Sequence, residues 1–425
     1  MPLDGDLEKL YARRRFGIRP GVDRVRLLLD RLGHPEHSFH SIHVVGTNGK
    51  GSTSAYLASI LSACGVRTAL FTSPHLISFT ERFRIDGTDI SPHRLEPLLA
   101  TVLEAAPSDA TFFEVVTALA LLCFSEEQVE VAVMEAGMGG RSDATAVLNG
   151  ILTVITPLSL DHCDYLGTTL EQIAAEKCGI AAPGTAVIIG HQTTVATSAI
   201  TACFRQTDSR LVWTDRAVSA AWHADGTFDY RGIGSTLNNL RSGIPGRYQT
   251  ENASLALASA EIMSTMGFSV SEQALRSGIS QARWPGRMET IPGTPALLLD
   301  GAHNPAGAGA LAEALKDLRY RKLLLVFGVM ADKDVREIFS ALAPLTATCY
   351  CVSPALERAM DDRELARIIT ETGTPSIACG SVANGIICAR RDAACDDLIL
   401  VCGSLFTVGE AKAWLAGTKF EGIRG

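Results

Sequence analysis

The chain has 425 residues, 47% of them hydrophobic and 20% charged, with a formal net charge of −8 at pH 7. A single hydrophobic core rarely grows past about 250–300 residues, so this length excludes a one-core protein and predicts two or three domains. The negative balance gives no general electrostatic reason to bind nucleic acid or an anionic membrane, so an anionic substrate would have to be held by local positive charge or a metal.

Along the chain, apolar runs and helical periodicities alternate, the pattern of parallel sheets covered by helices. Ile42–Val45 reads as a strand and Thr53–Leu61 as a helix, followed by a strand at Arg67–Phe71, a helix at Phe113–Phe124 and a strand at Val129–Met134. A strand at Ile151–Ile155, a helix around Leu170–Lys177 and a strand at Ala186–Ile189 continue the alternation. Residues 204–246 scatter Trp213, Trp222, Phe228 and Tyr230 among polar residues, which predicts short strands or an insertion, and a helix is expected at Thr250–Met266. Pro285, Gly286, Pro292, Gly293 and Pro295 then interrupt any helix or central strand, and the domain boundary is placed there, giving domains 1–290 and 291–425. The second set comprises Leu297–Leu299, a helix at Ala306–Leu318, Leu323–Phe327, Asp334–Leu342, Thr348–Val352, Asp362–Thr370 and Leu398–Val401. The expected fold class is α/β: an N-terminal P-loop-type domain with a mostly parallel sheet, and a smaller C-terminal Rossmann-like α/β domain, with ligands bound in the cleft between them.

Eleven cysteines occur without a C-x-x-C pair or zinc-type spacing, no apolar run approaches the roughly 20 residues that span a bilayer, and the N-terminus carries Asp4, Asp6 and Glu8. A cytoplasmic enzyme in a reducing compartment is expected.

The chemistry concentrates at the ends of predicted strands. Gly46-Thr47-Asn48-Gly49-Lys50-Gly51-Ser52 joins a strand to a helix N-terminus, where backbone N–H groups gather around phosphate. Its glycines admit the anion, Lys50 supplies charge to the terminal phosphates of ATP, and Ser52 offers a hydroxyl to Mg²⁺. The spacing departs from the standard P-loop, because two residues rather than four precede the Gly-Lys pair and Gly51 separates Lys50 from Ser52. Farther on, Glu135 opens the glycine-rich 136–143 segment and Asp161-His162 follows the Ile155 strand; Glu135, His162 and a serine hydroxyl suit a Mg²⁺ shell around bound phosphates. Lys177 lies near a helix end closed by Gly179, where a lysine complements the helix dipole and is ordinarily solvated.

Together these segments resemble the folylpolyglutamate synthase and dihydrofolate synthase family of Mur-type ATP-dependent amide ligases. The resemblance is carried by G-T-N-G-K-G-S at 46–52, T-S-P-H-L at 72–76 with T-E-R at 80–82, E-A-G-M-G-G-R-S-D-A-T at 135–145, L-D-H at 160–162 with L-G-T-T at 166–169, and E-K-C-G-I at 176–180. G-R-Y-Q at 246–249 with Asn252, W-P-G-R-M-E at 284–289 and D-G-A-H-N-P at 300–305 extend it to about Glu410. The resemblance implies that Lys50, Ser52 and the turn glycines hold ATP, and that Asn252, Arg287, Asp300 and His303 contact the nucleotide. It implies magnesium ligation by Ser73, Glu135 and His162, and carbamylation of Lys177, so that Lys50, Lys177 and His162 carry the catalysis.

The reaction implied is phosphorylation of a carboxylate by ATP, then attack of the L-glutamate amine on the acyl phosphate. That transfer relies on charge neutralisation and alignment rather than a protein nucleophile. Small-molecule partners follow (dihydropteroate or a reduced folate, L-glutamate and ATP), with no nucleic acid, no membrane and a monomeric enzyme. Two alternatives are a Mur-type ligase joining another amino acid to another carboxylate, and a nucleotide-dependent regulatory protein. The chain departs from the family pattern at Ala146, where asparagine is usual, and at Cys178, where alanine is usual.

Overall fold

The computed structural model describes residues 4–13, 17, 19 and 21–421. Its first sheet contains β1 (His40–Val45), β2 (Thr68–Phe71), β3 (Phe83–Ile85), β4 (Thr88–Asp89), β5 (Val131–Glu135), β6 (Leu152–Ile155), β7 (Ala186–Ile189) and β8 (Arg210–Trp213). They lie in the order β4-β3-β2-β5-β1-β6-β7-β8. β2, β5, β1, β6, β7 and β8 are mutually parallel, and only β3 runs against them, with the short β4 pairing antiparallel to β3. From β1 the chain passes to β2 on one side, returns to β5 and then crosses to β6 on the other. The strand order therefore reverses about β1, and crevices outside the carboxyl ends at such a reversal are where open α/β sheets bind ligands.

Burial follows the period of two of a strand. Val131 and Val133 of β5 face one layer, built on helices Lys50–Ala63 and Gln249–Thr265. Ala132 and Met134 face the other, built on helix Phe112–Glu126. Because both faces are covered, these strands read as continuous apolar runs. Thr111 and Glu114 close a reciprocal capping box at the start of the Phe112–Glu126 helix. Residues 204–246 contribute the edge strand β8 and a small antiparallel sheet of β9 (Ser219–Trp222), β10 (Thr227–Arg231) and β11 (Thr236–Arg241). Its Phe228, Tyr230, Leu237 and Leu240 join the first core layer.

The second sheet runs β12-β13-β17-β14-β15-β16, formed by β12 (Glu289–Ile291), β13 (Ala296–Leu299), β14 (Leu323–Phe327), β15 (Thr346–Cys351), β16 (Ser376–Ala378) and β17 (Leu398–Cys402). All neighbours are parallel except β12 against β13. The carboxyl end of β13 delivers 300–305 to the phosphate turn of the first sheet, where Asn304 meets Asn48.

Several expected elements shift. The helix after the turn begins at Lys50, not Thr53, because Gly49 caps it with φ +84° and the glycine-rich first turn hides the periodicity. Glu135 is the last residue of β5 rather than the first of a loop. Helices Pro92–Ala105, Glu272–Gln281, Val382–Asp392 and Leu405–Ala416 had no counterpart in the sequence reading.

Candidate active site

The phosphate turn is held by its neighbours before any ligand binds. Pro157, just past β6, accepts hydrogen bonds from the N–H groups of Thr47 (3.1 Å) and Asn48 (3.4 Å). The Thr47 hydroxyl donates to Ser159 O and accepts from Ser159 N, each at 3.1 Å. With the helix starting at Lys50, the first-turn N–H groups of Lys50, Gly51 and Ser52 precede the α-helical ladder and point toward the site. Gly51 is required by contact, since a Cβ there would lie 2.7 Å from the Trp284 ring. Lys50 Nζ folds back on Gly46 O (3.3 Å) and Thr47 O (3.1 Å).

Lys177 overturns the expectation of a solvated helix-end lysine. It is only 4% exposed, and its Nζ donates to the same Gly46 carbonyl at 2.8 Å. Burial, reinforced by repulsion from Lys50, lowers its pKa to about 7, so a large share of the side chain is the neutral amine near neutral pH. Nor does Gly179 close the helix with a left-handed residue, for its φ is −66°. The helix end is gripped instead by the 136–143 loop: Arg141 N donates to Glu176 O (2.8 Å), and a Cβ on Gly140 would sit 2.6 Å from Lys177 O. Within that loop the buried Asp143 carboxylate accepts from Met138 N, Thr145 N and the Thr145 hydroxyl.

Glu135, at the end of β5, is 5% exposed and accepts a hydrogen bond from Ser73 N at 3.2 Å. Burial pushes its pKa up, against the pull of Lys50, the Ser73 N–H and Arg287. A carboxylate that dry gains from a cation, and Glu135 offers the kind of hard oxygen that Mg²⁺ takes. His162 lies on the next strand-end loop in a left-handed conformation, φ 52°, with its side chain 48% exposed. Desolvation holds its pKa below the ordinary value, with Asp161 opposing and Lys333, Lys50 and Lys177 assisting.

The second sheet closes on this site. Asn48 and Asn304 pair amide to amide, Asn304 Nδ2 donating to Asn48 Oδ1 at 2.9 Å and Asn48 Nδ2 to Asn304 Oδ1 at 3.3 Å. Lys333 Nζ reaches Asp161 Oδ1 at 3.1 Å. Burial alone would raise the Asp161 pKa, but His162, Lys333 and His303 outweigh it and hold it at about 2. Asp300 organises its own loop: its carboxylate accepts from the Tyr248 hydroxyl, Met288 N and Ala302 N, each at 2.9 Å. His303 Nδ1 lies 2.9 Å from Gly301 O. Arg287 contacts Gly286 O at 3.5 Å and faces Glu135 closely enough to affect its charge. Asn252 sits under the turn, its amide donating to Gln249 Oε1 (2.8 Å) and its Oδ1 3.5 Å from the Thr53 hydroxyl. Beside Pro157 opens a cavity of about 620 Å³, lined by Gly190, His191, Tyr248, Thr250 and, from the second body, Ala310. The turn, the 72–76 and 136–143 loops, Lys177 and the D-G-A-H-N-P segment thus converge.

Comparison with known proteins agrees with this geometry. Residues 44–260 match the Mur ligase middle domain, and residues 286–405 match the Mur ligase glutamate ligase domain. A dihydrofolate synthase/folylpolyglutamate synthase of Mycobacterium tuberculosis is 38% identical over 376 residues, covering 82% of this chain and 77% of that protein. The chain belongs to the dihydrofolate synthase/folylpolyglutamate synthase family. The crystal structure of a bifunctional folylpolyglutamate synthase/dihydrofolate synthase from Yersinia pestis, complexed with AMPPNP and a Mn ion, superposes with a TM-score of 0.88 at 30% identity and covers 98% of each chain. A probable bifunctional folylpolyglutamate synthase/dihydropteroate synthase of Halobacterium salinarum is 36% identical over 94% of this chain, but the chain spans only 50% of that protein's length. Within this family member, Lys333 and Asn304 were not singled out from sequence. Asn304 had a signal, since an Asn before Pro305 is a helix N-cap, and its Oδ1 indeed accepts from Gly307 N at 2.8 Å. Lys333 lies in Ala331-Asp332-Lys333-Asp334, indistinguishable from a solvated charge run.

Proposed function

We propose that this chain ligates L-glutamate to a pteroate-type carboxylate with ATP, acting as dihydrofolate synthase, folylpolyglutamate synthase or both. One observation carries the reading: the phosphate turn, the buried Glu135 carboxylate and the buried Lys177 meet at the carboxyl ends of β1, β5 and β6, beside a cavity of about 620 Å³ that Ala310 of the second body helps to line. The names of the relatives support the choice of acceptor and amino acid. The N–H groups at the start of the Lys50–Ala63 helix, together with Lys50, bind and orient the triphosphate. Asn252, Arg287, Asp300 and His303 bring the second body against the nucleotide and exclude water. Ser52, Ser73, Glu135 and His162 would hold Mg²⁺, which neutralises phosphate charge. The acceptor carboxylate, aligned on the terminal phosphoryl group, becomes an acyl phosphate, and the glutamate amine then displaces phosphate to form the amide.

Lys177 is proposed to be carbamylated: its free amine adds to CO₂, forming an N–C bond and releasing one proton, and the resulting anion faces the metal ligands. The functional division proposed is residues 1–290 for the nucleotide and 291–425 for glutamate, with the joint running through β12. All eleven cysteines are free, which suits a reducing compartment, and the location proposed is the cytoplasm, with the enzyme acting as a monomer. Phosphate release measured with ATP, Mg²⁺, L-glutamate and each pteroate tests the activity. Turnover that depends on both L-glutamate and a pteroate, with a new amide by mass, is expected; phosphate release indifferent to pteroate rejects the proposal.

A further inference from the structure

The turn that leads into β1 carries a second group of metal-competent side chains, at the opposite end of that strand from the phosphate turn. His34, Glu36 and His37 present ligand atoms that all lie within 4.8 Å of one another. His34 Nδ1 is 3.1 Å from Glu36 Oε1, and His37 Nε2 is 3.7 Å from the same oxygen. These separations bracket the edge of a tetrahedron whose centre-to-ligand distance is about 2.0–2.2 Å, the value for zinc with imidazole and carboxylate. The Glu36 side chain is nine-tenths buried at 10% exposed, and its second oxygen, Oε2, is buried without a hydrogen-bond partner. A dry carboxylate oxygen with nothing to accept is costly, and a cation is what would satisfy it.

The backbone holds these groups in place. His34 adopts the left-handed conformation (φ 59°, ψ 56°), and His37 N donates to His34 O while Ser38 N and the Ser38 hydroxyl both donate to Pro35 O. The two imidazoles stack, 5.1 Å apart at 12°, so binding one ion requires the exposed His37 ring to turn out of the stack. On the far side of His34, Asp30 Oδ1 stands 3.6 Å from Nε2. At that distance the two make no hydrogen bond, but Asp30 stands where an outer carboxylate would accept from Nε2–H once Nδ1 ligates a metal.

We infer that His34, Glu36 and His37 form a binding site for one borderline divalent transition-metal ion, Zn²⁺ being the best match, with Asp30 as a positioning residue. Two imidazoles and one carboxylate favour Zn²⁺, Co²⁺ or Ni²⁺ over Mg²⁺, which prefers an all-oxygen octahedron. The six residues of β1 span about 20 Å, so this ion is remote from the phosphate turn and pins the entry to β1 rather than serving catalysis.

The test titrates Co²⁺ into the full chain under saturating Mg²⁺, following the visible d–d bands and competition with a chromophoric chelator, and repeats it with Zn²⁺ as displacer. One Co²⁺ per chain is expected, displaced by Zn²⁺ and lacking thiolate-to-cobalt absorption. His37→Ala and the near-isosteric Glu36→Gln should each weaken binding by at least about tenfold, with unchanged far-ultraviolet circular dichroism and unchanged ligase turnover. Thiolate-type absorption, or affinity unaltered in both variants, overturns the inference.

Discussion

Lowering the pH through about 7 should silence Lys177 by protonating its amine. A lysine with the ordinary pKa of 10.5 is neutral in roughly one molecule in three thousand at pH 7, whereas at about 7 half the molecules carry the free amine, a gain of more than a thousandfold in the species that reacts with CO₂. The folded value lies below the unfolded one, so the neutral amine is favoured by folding. The associated stability is fully present above pH 10.5 and is lost as the pH falls through about 7. The assay uses the full chain equilibrated with ¹³C-bicarbonate and followed by ¹³C NMR from pH 9 to pH 5.5, with phosphate release measured on the same samples. A carbamate resonance should be present at alkaline and neutral pH, fade as the pH drops through about 7, and be absent in Lys177→Arg. Turnover should fall with it, and small carboxylates should partly restore Lys177→Ala. A wild-type spectrum without the resonance, or full activity in carefully decarbonated buffer after exhaustive dialysis at pH 6, would refute the reasoning.

Three further outcomes are expected. Gly51→Ala drives a methyl group into the Trp284 ring at 2.7 Å; overpacking of this kind costs about 1–3 kcal/mol, so KM for ATP should rise about tenfold or more, and an unchanged KM would show that the turn is not constrained there. Asn48→Ala removes the two amide hydrogen bonds to Asn304, together about 1–3 kcal/mol, and leaves the Asn304 cap intact. Its closure on ATP, followed by small-angle scattering, should shift toward the open form, and a profile identical to wild type would contradict the bridge. His43, fully buried in β1, has its pKa lowered by burial to about 4, with Nε2 on Thr145 O at 3.0 Å. Its neutral form is favoured above pH 6.5, and up to about 3 kcal/mol of stability is lost between pH 6.5 and 4. Melting temperatures of His43→Asn should therefore fall less steeply across that window than those of the wild type.

Legibility from sequence was uneven for physical reasons. The central strands were visible because burial on both faces makes them unbroken apolar runs, as in Val131–Glu135 and Leu398–Cys402. Helix Pro92–Ala105 was hidden although Leu95, Leu99 and Val102 form an apolar stripe, because Pro92 and Pro97 read as breakers. The glycine turn and Glu135 were legible because their chemistry is local, a strand end and a helix start. Lys177 was not: its sequence neighbours suggest a solvated helix end, and its burial comes from Gly46 and the 136–143 loop, distant in the chain. The same holds for Lys333, whose partner Asp161 is 172 positions away.

The two lysines are best understood as a pair. Lys50 and Lys177 both donate to the Gly46 carbonyl, at 3.3 and 2.8 Å, so two ammonium groups would share one acceptor in a poorly hydrated corner. Repulsion at that range is substantial wherever water is scarce, and the more deeply buried partner is the one whose proton is weakened. The phosphate turn therefore does more than bind a triphosphate: by placing Lys50 it helps to supply the neutral amine at Lys177. Addition of CO₂ would reverse the sign of that side chain, and an anion beside Lys50 would replace repulsion with attraction. Gly49 starts the helix at Lys50 and the inserted Gly51 admits the Trp284 ring against the turn, so the irregular spacing of the motif places the charge that weakens the proton of a residue 127 positions beyond Lys50.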